Sequence, residues 1–340
     1  MNMNFSVGTG QGIRIDQVAG FAQTAEECGF SHITFPDMPA GNRDVQVQLT
    51  LTALNTHRIH MGQGVTDPLT FHPSVIANST ATIDELSGGR AFVGLGAGGR
   101  YGKSMKPVPL QDLRDAVLFI KDYSSGREAI WKGAKMHSEW VRNPLRVYLA
   151  VDGPKACEMA GELADGIMFL GVHPEYVRWR MEMFHRGAQK ASRDFSVIDI
   201  FVRTIVYPCR SREQAHHEVR PYIAGFEYIS QALTSDIPVN KELRLRLEKA
   251  APGLAEQILA DYQAYRVAKA RGDNTPWSEI ASQRTFDFFC ITGPDEDICR
   301  RIEELGRLGV TNVTTMLSTK MRPQDLMRLI SNRIMPHFRN

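Results

Sequence analysis

Short apolar runs alternate with stretches of helical periodicity along the first two hundred residues. Phe5–Gly10 (FSVGTG) reads as a strand that ends in a glycine loop. Val18, Phe21, Ala22, Ala25 and Cys28 then recur on one helical face until Gly29 stops the helix. His32–Pro36 predicts a second strand and Val45–Leu54 a second helix, and Arg58–Gly64 and Ser74–Leu86 form the third such pair. Arg90–Gly99 is a fourth strand, followed by a helix from about Leu110 to Lys121. The rhythm resumes with a strand at Arg146–Val151 and a helix faced by Ala156, Met159, Ala160 and Leu163. After it come a strand at Asp165–Leu170, a helix at His173–Lys190, and strands at Ile198–Tyr207 and Thr311–Leu317. Strands separated by helices pair in parallel through crossover connections. Eight such units close most economically into an α/β TIM (β/α)8 barrel, with a doubly wound open sheet as the competing arrangement.

Between Pro221 and Arg284 the pattern turns polar and helical, as in VNKELRLRLEKAAPGLAEQILADYQAYRVAKARGDN. This predicts a helical insertion over residues 221–284, before the last strand, within a single domain of residues 1–340. A substrate lid or a subunit contact is the alternative use of the segment, whereas a charge-rich helix ordinarily presents a solvated face.

Composition narrows the partners. Forty basic against 38 acidic residues leave a net charge of +2, which gives no basis for nucleic acid or an anionic membrane as the main partner. No stretch of 18 apolar residues predicts a membrane span, and residues 1–30 carry no secretory pattern. Cysteines 28, 157, 209, 290 and 299 form no CxxC pair and no disulfide framework, so a cytoplasmic, reducing setting is expected.

In a barrel of this kind ligands bind at the C-terminal strand ends. Those ends carry Gly8-Thr9-Gly10, Pro36-Asp37-Met38, Gly62-Gln63-Gly64-Val65-Thr66, Gly96-Ala97-Gly98-Gly99-Arg100, Asp152-Gly153-Pro154-Lys155 and Gly171-Val172-His173. Five of the six are rich in glycine, which lets backbone N–H groups approach a ligand. A metal enzyme would gather His, Asp or Glu there, and a covalent enzyme a Ser or Cys beside a base. Neither pattern occurs, so no metal site is expected, and the rim suits a large cofactor held by main chain. The last two ends read as a phosphate cradle at helix N-termini, with Lys155 or His173 adding charge. The plainer alternative is that Gly153-Pro154 simply starts a helix.

Three segments carry a family resemblance. GVTDPLTFHPSVIANSTATIDELSGGRAFVGLGAGG resembles the core motif of the bacterial-luciferase-like superfamily, nearest the methylenetetrahydromethanopterin reductase branch. GPKACEMAGELADGIMFLG is similar to its phosphate-site helix and following strand, and LGRLGVTNVTTM to its last barrel strand. The resemblance spans roughly Asn4 to Tyr207 and Thr292 onwards. It implies a TIM barrel holding reduced FMN or the deazaflavin coenzyme F-420. It also implies a non-proline cis peptide at Gly64–Val65, whose bulge supports one face of the ring, with Thr66 and Gly98 beside it. Asp152, Gly153, Pro154, Lys155, Gly171, Val172 and His173 would hold the phosphate end.

Asp37 matches an acidic position that many members follow with histidine, where this chain has Met38. The resemblance implies a catalytic place near the ring for Asp37, the plainer alternative being a carboxylate that caps the next helix. Gly99 stands where alcohol- and sugar-oxidising deazaflavin members carry glutamate. Thr9, Met38 and Arg100 fall on the substrate side, and Arg100 either binds a carboxylate or reaches solvent. His72 reads as a substrate-side acid or base, or as the residue that leads into a helix beside Pro73. The favoured activity is a reduced-FMN-dependent monooxygenase acting with O2 on a small organic substrate and fed by a separate flavin reductase. The alternatives are an F-420-dependent reductase or dehydrogenase that transfers hydride, a non-catalytic flavin-binding barrel, and a metal-dependent barrel hydrolase. The superfamily's habit of pairing through early barrel helices makes Val45–Leu54 the expected homodimer contact.

Overall fold

Hydrogen-bonded pairing of the first and last strands decides between the barrel and the open sheet. In the computed structural model, residues 3–9, 13–39, 41–98, 106–219, 223–270 and 277–339 are described. Strands β1 (Asn4–Gly8), β2 (His32–Phe35), β3 (His60–Gln63) and β4 (Ala91–Leu95) pair in succession. A small antiparallel hairpin, β5 (Ala129–Trp131) and β6 (Ala134–Met136), intervenes. The sheet then continues through β7 (Arg146–Ala150), β8 (Gly166–Leu170) and β9 (Asp199–Pro208). Strand β10 (Cys290–Gly293) pairs with the far half of β9 outside the circuit. Strand β11 (Asn312–Met316) returns to β1, from Asn4↔Asn312 to Gly8↔Met316, and closes eight parallel strands into a barrel.

All eight strands read from the sequence are present, and β5, β6 and β10 are additions. The hairpin turns through Lys132 and Gly133, both at positive φ (48° and 84°), the backbone of a two-residue hairpin loop.

Six helices follow the early strands: α1 (Val18–Glu27), α2 (Val45–Asn55), α3 (Pro73–Ser87), α4 (Leu110–Ser124), α5 (Pro154–Leu163) and α6 (Pro174–Lys190). Between β9 and β10 lie α7 (Arg212–Glu218), α8 (Ile223–Thr234), α9 (Pro238–Ala250), α10 (Leu254–Ala270), α11 (Trp277–Ile280) and α12 (Gln283–Phe289), and α13 (Asp295–Arg307) and α14 (Pro323–Arg333) flank β11. Local chemistry sets the boundaries. In α3, the His72 ring accepts the Ser74 N–H, Pro73 fills the first turn, and Gly88 ends the helix at φ 71°. No helix among the described residues is long and apolar enough to cross a membrane. Val47 and Leu54 stay exposed on α2, the segment expected to meet a second copy, and Val75 and Leu86 stay exposed on α3.

The barrel interior is layered. Towards the N-terminal strand ends, Phe92, Tyr148, Met168 and Phe201 form a plug. His32 stacks on His60 (5.0 Å) and meets Phe201 edge-on, while Phe92 stacks on Tyr148 at 4.5 Å. Each such pair adds about 0.5–1.5 kcal/mol beyond its buried area. Tyr148 donates to Asp199 Oδ2 at 2.7 Å, which satisfies its hydroxyl. One layer higher, Gly64 just past β3 faces Arg203 across the barrel, and Gly8 lies beside Met316, its partner on the adjacent strand β11. A Cβ on Gly8 would come within 2.6 Å of Met316 Sδ, so the glycine makes room for a side chain from the neighbouring strand.

Burial, reinforced by His60 and Arg146, lowers the His32 pKa from 6.5 to about 3. Between those values the unfolded chain takes up a proton that the fold excludes. This contribution to stability is therefore complete above pH 6.5 and is withdrawn as pH falls towards 3. Urea unfolding across that interval should show a steeper loss of stability for the wild type than for His32→Phe. Equal slopes would contradict a buried neutral imidazole.

Candidate active site

The segment after β3 is pinned from three sides. Gly64 N–H donates to Phe35 O (2.7 Å), Thr66 N–H to Gly94 O (2.8 Å), and Gly96 N–H to Thr66 O (2.9 Å). From across the barrel Arg203 Nη1 donates to Gly64 O at 3.1 Å. Beneath, the Gln63 amide donates to Thr80 Oγ1 at 3.0 Å and accepts the Gly94 N–H. The Gly64–Val65 peptide is cis, as the resemblance implies. Val65 is left half-buried, its side chain lying where a Cβ on Gly96 would come within 2.9 Å.

This geometry corrects one reading of the glycines. At the end of β3 their N–H groups are spent on neighbouring carbonyls, and the missing Cβ atoms make space for protein. A Cβ on Gly64 would meet Thr34 at 2.6 Å, and one on Gly98 would meet Asp67 at 2.8 Å. What this part of the rim presents is the Val65 side chain, not a row of open donors.

Asp37 and Thr66 are brought together. The Thr66 hydroxyl donates to Asp37 Oδ2 at 2.6 Å, and both residues are buried. Burial raises the Asp37 pKa above the ordinary carboxylate value and the nearby Asp67 and Asp44 add to the rise, against the opposing Thr66 hydrogen bond. Thr9 is buried close by, its N–H donating to Thr34 O at 3.0 Å. Met38 is half-buried, with its carbonyl accepting the Gly41 and Asn42 N–H groups. Gly10, Gly99 and Arg100 lie outside the described residues.

His72 does not join this group. Its Nδ1 accepts the Ser74 N–H at 3.1 Å, and its ring stands edge-on to Phe119 and Trp131. Of the two sequence readings, the structure places it as the residue that leads into α3.

The ends of β7 and β8 form a second focus. Helices α5 and α6 pack side by side, and each begins with proline in its first turn. Gly153 has no side chain with which to cap α5, and the His173 side chain does not cap α6. The first-turn N–H groups of a helix have no partner within it, so they face outward at this rim. A Cβ on Gly153 would meet nothing within 4 Å, which leaves the approach to α5 open. Lys155 is exposed beside it.

His173 departs from its expected role as a charge. Its ring stacks on Phe288 at 5.7 Å, and burial lowers its pKa to about 4, so it is neutral at pH 7. Its Nδ1 is buried and has no hydrogen-bond partner among the described residues. Val172 is tied down through its N–H to Phe288 O at 2.9 Å, and Gly171 takes φ 97° against Tyr176.

Asp152 is held by an arginine that the sequence reading did not single out. Arg180, 1% exposed, pairs with Asp152 Oδ1 at 2.7 Å and donates to Val151 O at 2.9 Å and to the Tyr176 hydroxyl. Its only sequence signal is a charge on the otherwise apolar face of α6, four residues after Tyr176. Arg203 carries a similar signal, a lone charge inside the apolar run IFVRTIVY.

A closed barrel with its polar features on the C-terminal rim matches a known class. The chain matches the luciferase-like monooxygenase family over residues 2–312 and belongs to that family of oxidoreductases. Among its relatives is the 5,10-methylenetetrahydromethanopterin reductase of Archaeoglobus fulgidus, 27% identical over 99% of this chain and 100% of that one. The enzyme of the same name from Methanolobus tindarius is 28% identical over 94% of this chain and 95% of its own. The solved structure of a coenzyme F-420-dependent tetrahydromethanopterin reductase from Methanopyrus kandleri superposes with a TM-score of 0.76. It is 22% identical and covers 100% of both chains.

Replacing Arg180 strips Asp152, Val151 O and Tyr176 of a common partner. Arg180→Met should cost about 3 kcal/mol in guanidinium unfolding, the low end for breaking a buried pair, because Asp152 is 24% exposed. A change below about 1 kcal/mol would show that the cluster is not structural.

Proposed function

We propose that the protein is a deazaflavin-dependent oxidoreductase that reduces or oxidises a small organic substrate by hydride transfer, with coenzyme F-420 as its cofactor. The observation that carries the reading is the pair of uncapped helix starts, α5 and α6, on the rim that also bears Val65. The residues fit such a ligand. The space at Gly153 and the unpartnered Nδ1 of His173 suit a phosphate group, and Val65 offers an apolar support to a flat ring.

The likeness to methylenetetrahydromethanopterin reductases over nearly the whole chain, together with that to the coenzyme F-420-dependent reductase structure, favours F-420 over reduced FMN. The expectation of a monooxygenase served by a separate flavin reductase therefore gives way to the hydride reading. FMN remains the second reading, supported by the family's description as monooxygenases.

When bound, the deazaflavin supplies a hydride donor or acceptor at a carbon of its central ring. The chain does the rest. The first turns of α5 and α6 bind the phosphate through main-chain N–H groups, and neutral His173 adds a hydrogen bond without a charge. Val65 fixes the height of the ring, and the aromatic plug beneath the rim keeps water from rising through the barrel. Asp37, with its raised pKa, holds a proton closer to neutral pH than an ordinary carboxyl does, so proton transfer at the substrate falls to it.

Absorbance titrations with coenzyme F-420 and with FMN separate the two readings. Saturable binding of F-420, at least about tenfold tighter than FMN (1.4 kcal/mol), is expected. Tighter FMN binding, or O2 uptake with reduced FMN, would overturn the proposal.

A further inference from the structure

The layer just below the rim is built from two unlike halves. Gly64, the residue after β3, and Gly8, at the end of β1, bring no side chain, while β9 and β11 contribute Arg203 and Met316. In the barrel circuit β3 is third and β9 seventh, so the two face each other across the axis. Arg203, 7% exposed, spans that gap. Its Nη1 donates to Gly64 O at 3.1 Å and its Nη2 to Met316 Sδ at 3.4 Å. Next to this contact, Thr34 Oγ1 lies 2.8 Å from where a Cβ on Gly64 would stand.

The hydrogen bond lands on the carbonyl of the residue before Val65, the side chain assigned above to support the ring. Guanidinium stays charged at any working pH, and burial in a low-dielectric barrel extends the reach of its field. A ring that takes up a hydride gains negative charge. A fixed cation in the barrel floor therefore stabilises the reduced ring more than the oxidised one.

We propose that Arg203 is a positioning residue with an electrostatic effect: it fixes the Gly64–Val65 segment from across the barrel and biases the site towards the reduced cofactor. This rests on the cofactor reading above. It adds a specific consequence, because a preference for one redox form is a shift in the bound cofactor's midpoint potential.

Two variants separate the charge from the contact. Arg203→Gln keeps a donor within the barrel and removes the charge, whereas Arg203→Lys keeps the charge and loses the planar fork. Dissociation constants for oxidised and reduced coenzyme F-420 are measured under nitrogen by absorbance and fluorescence titration, with thermal melts to check folding. The wild type should bind the reduced form more tightly. Arg203→Gln should lose about tenfold of that preference, while Arg203→Lys should keep it even where both affinities weaken.

If Arg203→Gln weakens both forms by the same factor, the arginine is only a strut and the proposal is overturned while the cofactor reading stands. If the wild type binds neither form, both fall together. Should Arg203→Gln fail to fold, Arg203→Lys decides alone: a retained preference supports the proposal, and its loss overturns it.

Discussion

Everything at the rim follows from how the space inside eight closed strands is shared. In the upper layer, Gly8 and Gly64 contribute no side chains. Met316, from the strand beside Gly8, and Arg203, from across the axis from Gly64, fill the space they leave. The floor of the site is therefore made by residues remote in sequence from the loops above it. Val65 projects from this floor because its neighbours on both sides are hydrogen-bonded in place, through Gly64 to Phe35 and Arg203, and through Thr66 to Gly94 and Gly96.

Charge is arranged differently at the two ends of the rim. At the β7–β8 end, Asp152 is neutralised by buried Arg180 and His173 is held uncharged, so attraction for an anion comes chiefly from main-chain N–H groups and helix dipoles. At the β2–β3 end, Asp37 is buried against Thr66 and retains its proton more readily than a free carboxyl. In the proposed function, one end receives a phosphate and the other serves a reacting centre that exchanges a proton. The absence of histidine after Asp37, where Met38 stands, leaves that carboxyl as the acidic group of its strand end.

The barrel was legible because its eight strands are short segments carrying apolar or β-branched residues, set between stretches of helical periodicity. Strands β5 and β6 were not, since three residues give too little alternation, although Lys132-Gly133 was an available turn signal, and β10 follows directly on α12 with no turn between them to mark it. The cis Gly64–Val65 bond was legible only through family resemblance. That Gly8, Gly64 and Gly98 leave room for protein atoms was not legible, because which side chain fills a missing Cβ depends on the neighbouring strands and loops. Arg180 and Arg203 were passed over because a charge in an apolar run says nothing about the carbonyls it will meet. The neutrality of His173 follows from burial in a setting that includes Phe288, brought to it by the fold from the helical region.

The central claim is that the open start of α5 receives the phosphate of a ring cofactor, and Gly153→Asp tests it most directly. Gly153 has φ −70° and ψ 151°, an ordinary N-cap conformation, and clear space around it. Aspartate there caps α5 with its own carboxylate, adding roughly a few tenths of a kcal/mol of stability over glycine while occupying the anion's place. The account predicts an unchanged or higher melting temperature and an affinity for coenzyme F-420 at least about tenfold weaker. A folded Gly153→Asp protein that binds the coenzyme as tightly as the wild type would contradict it.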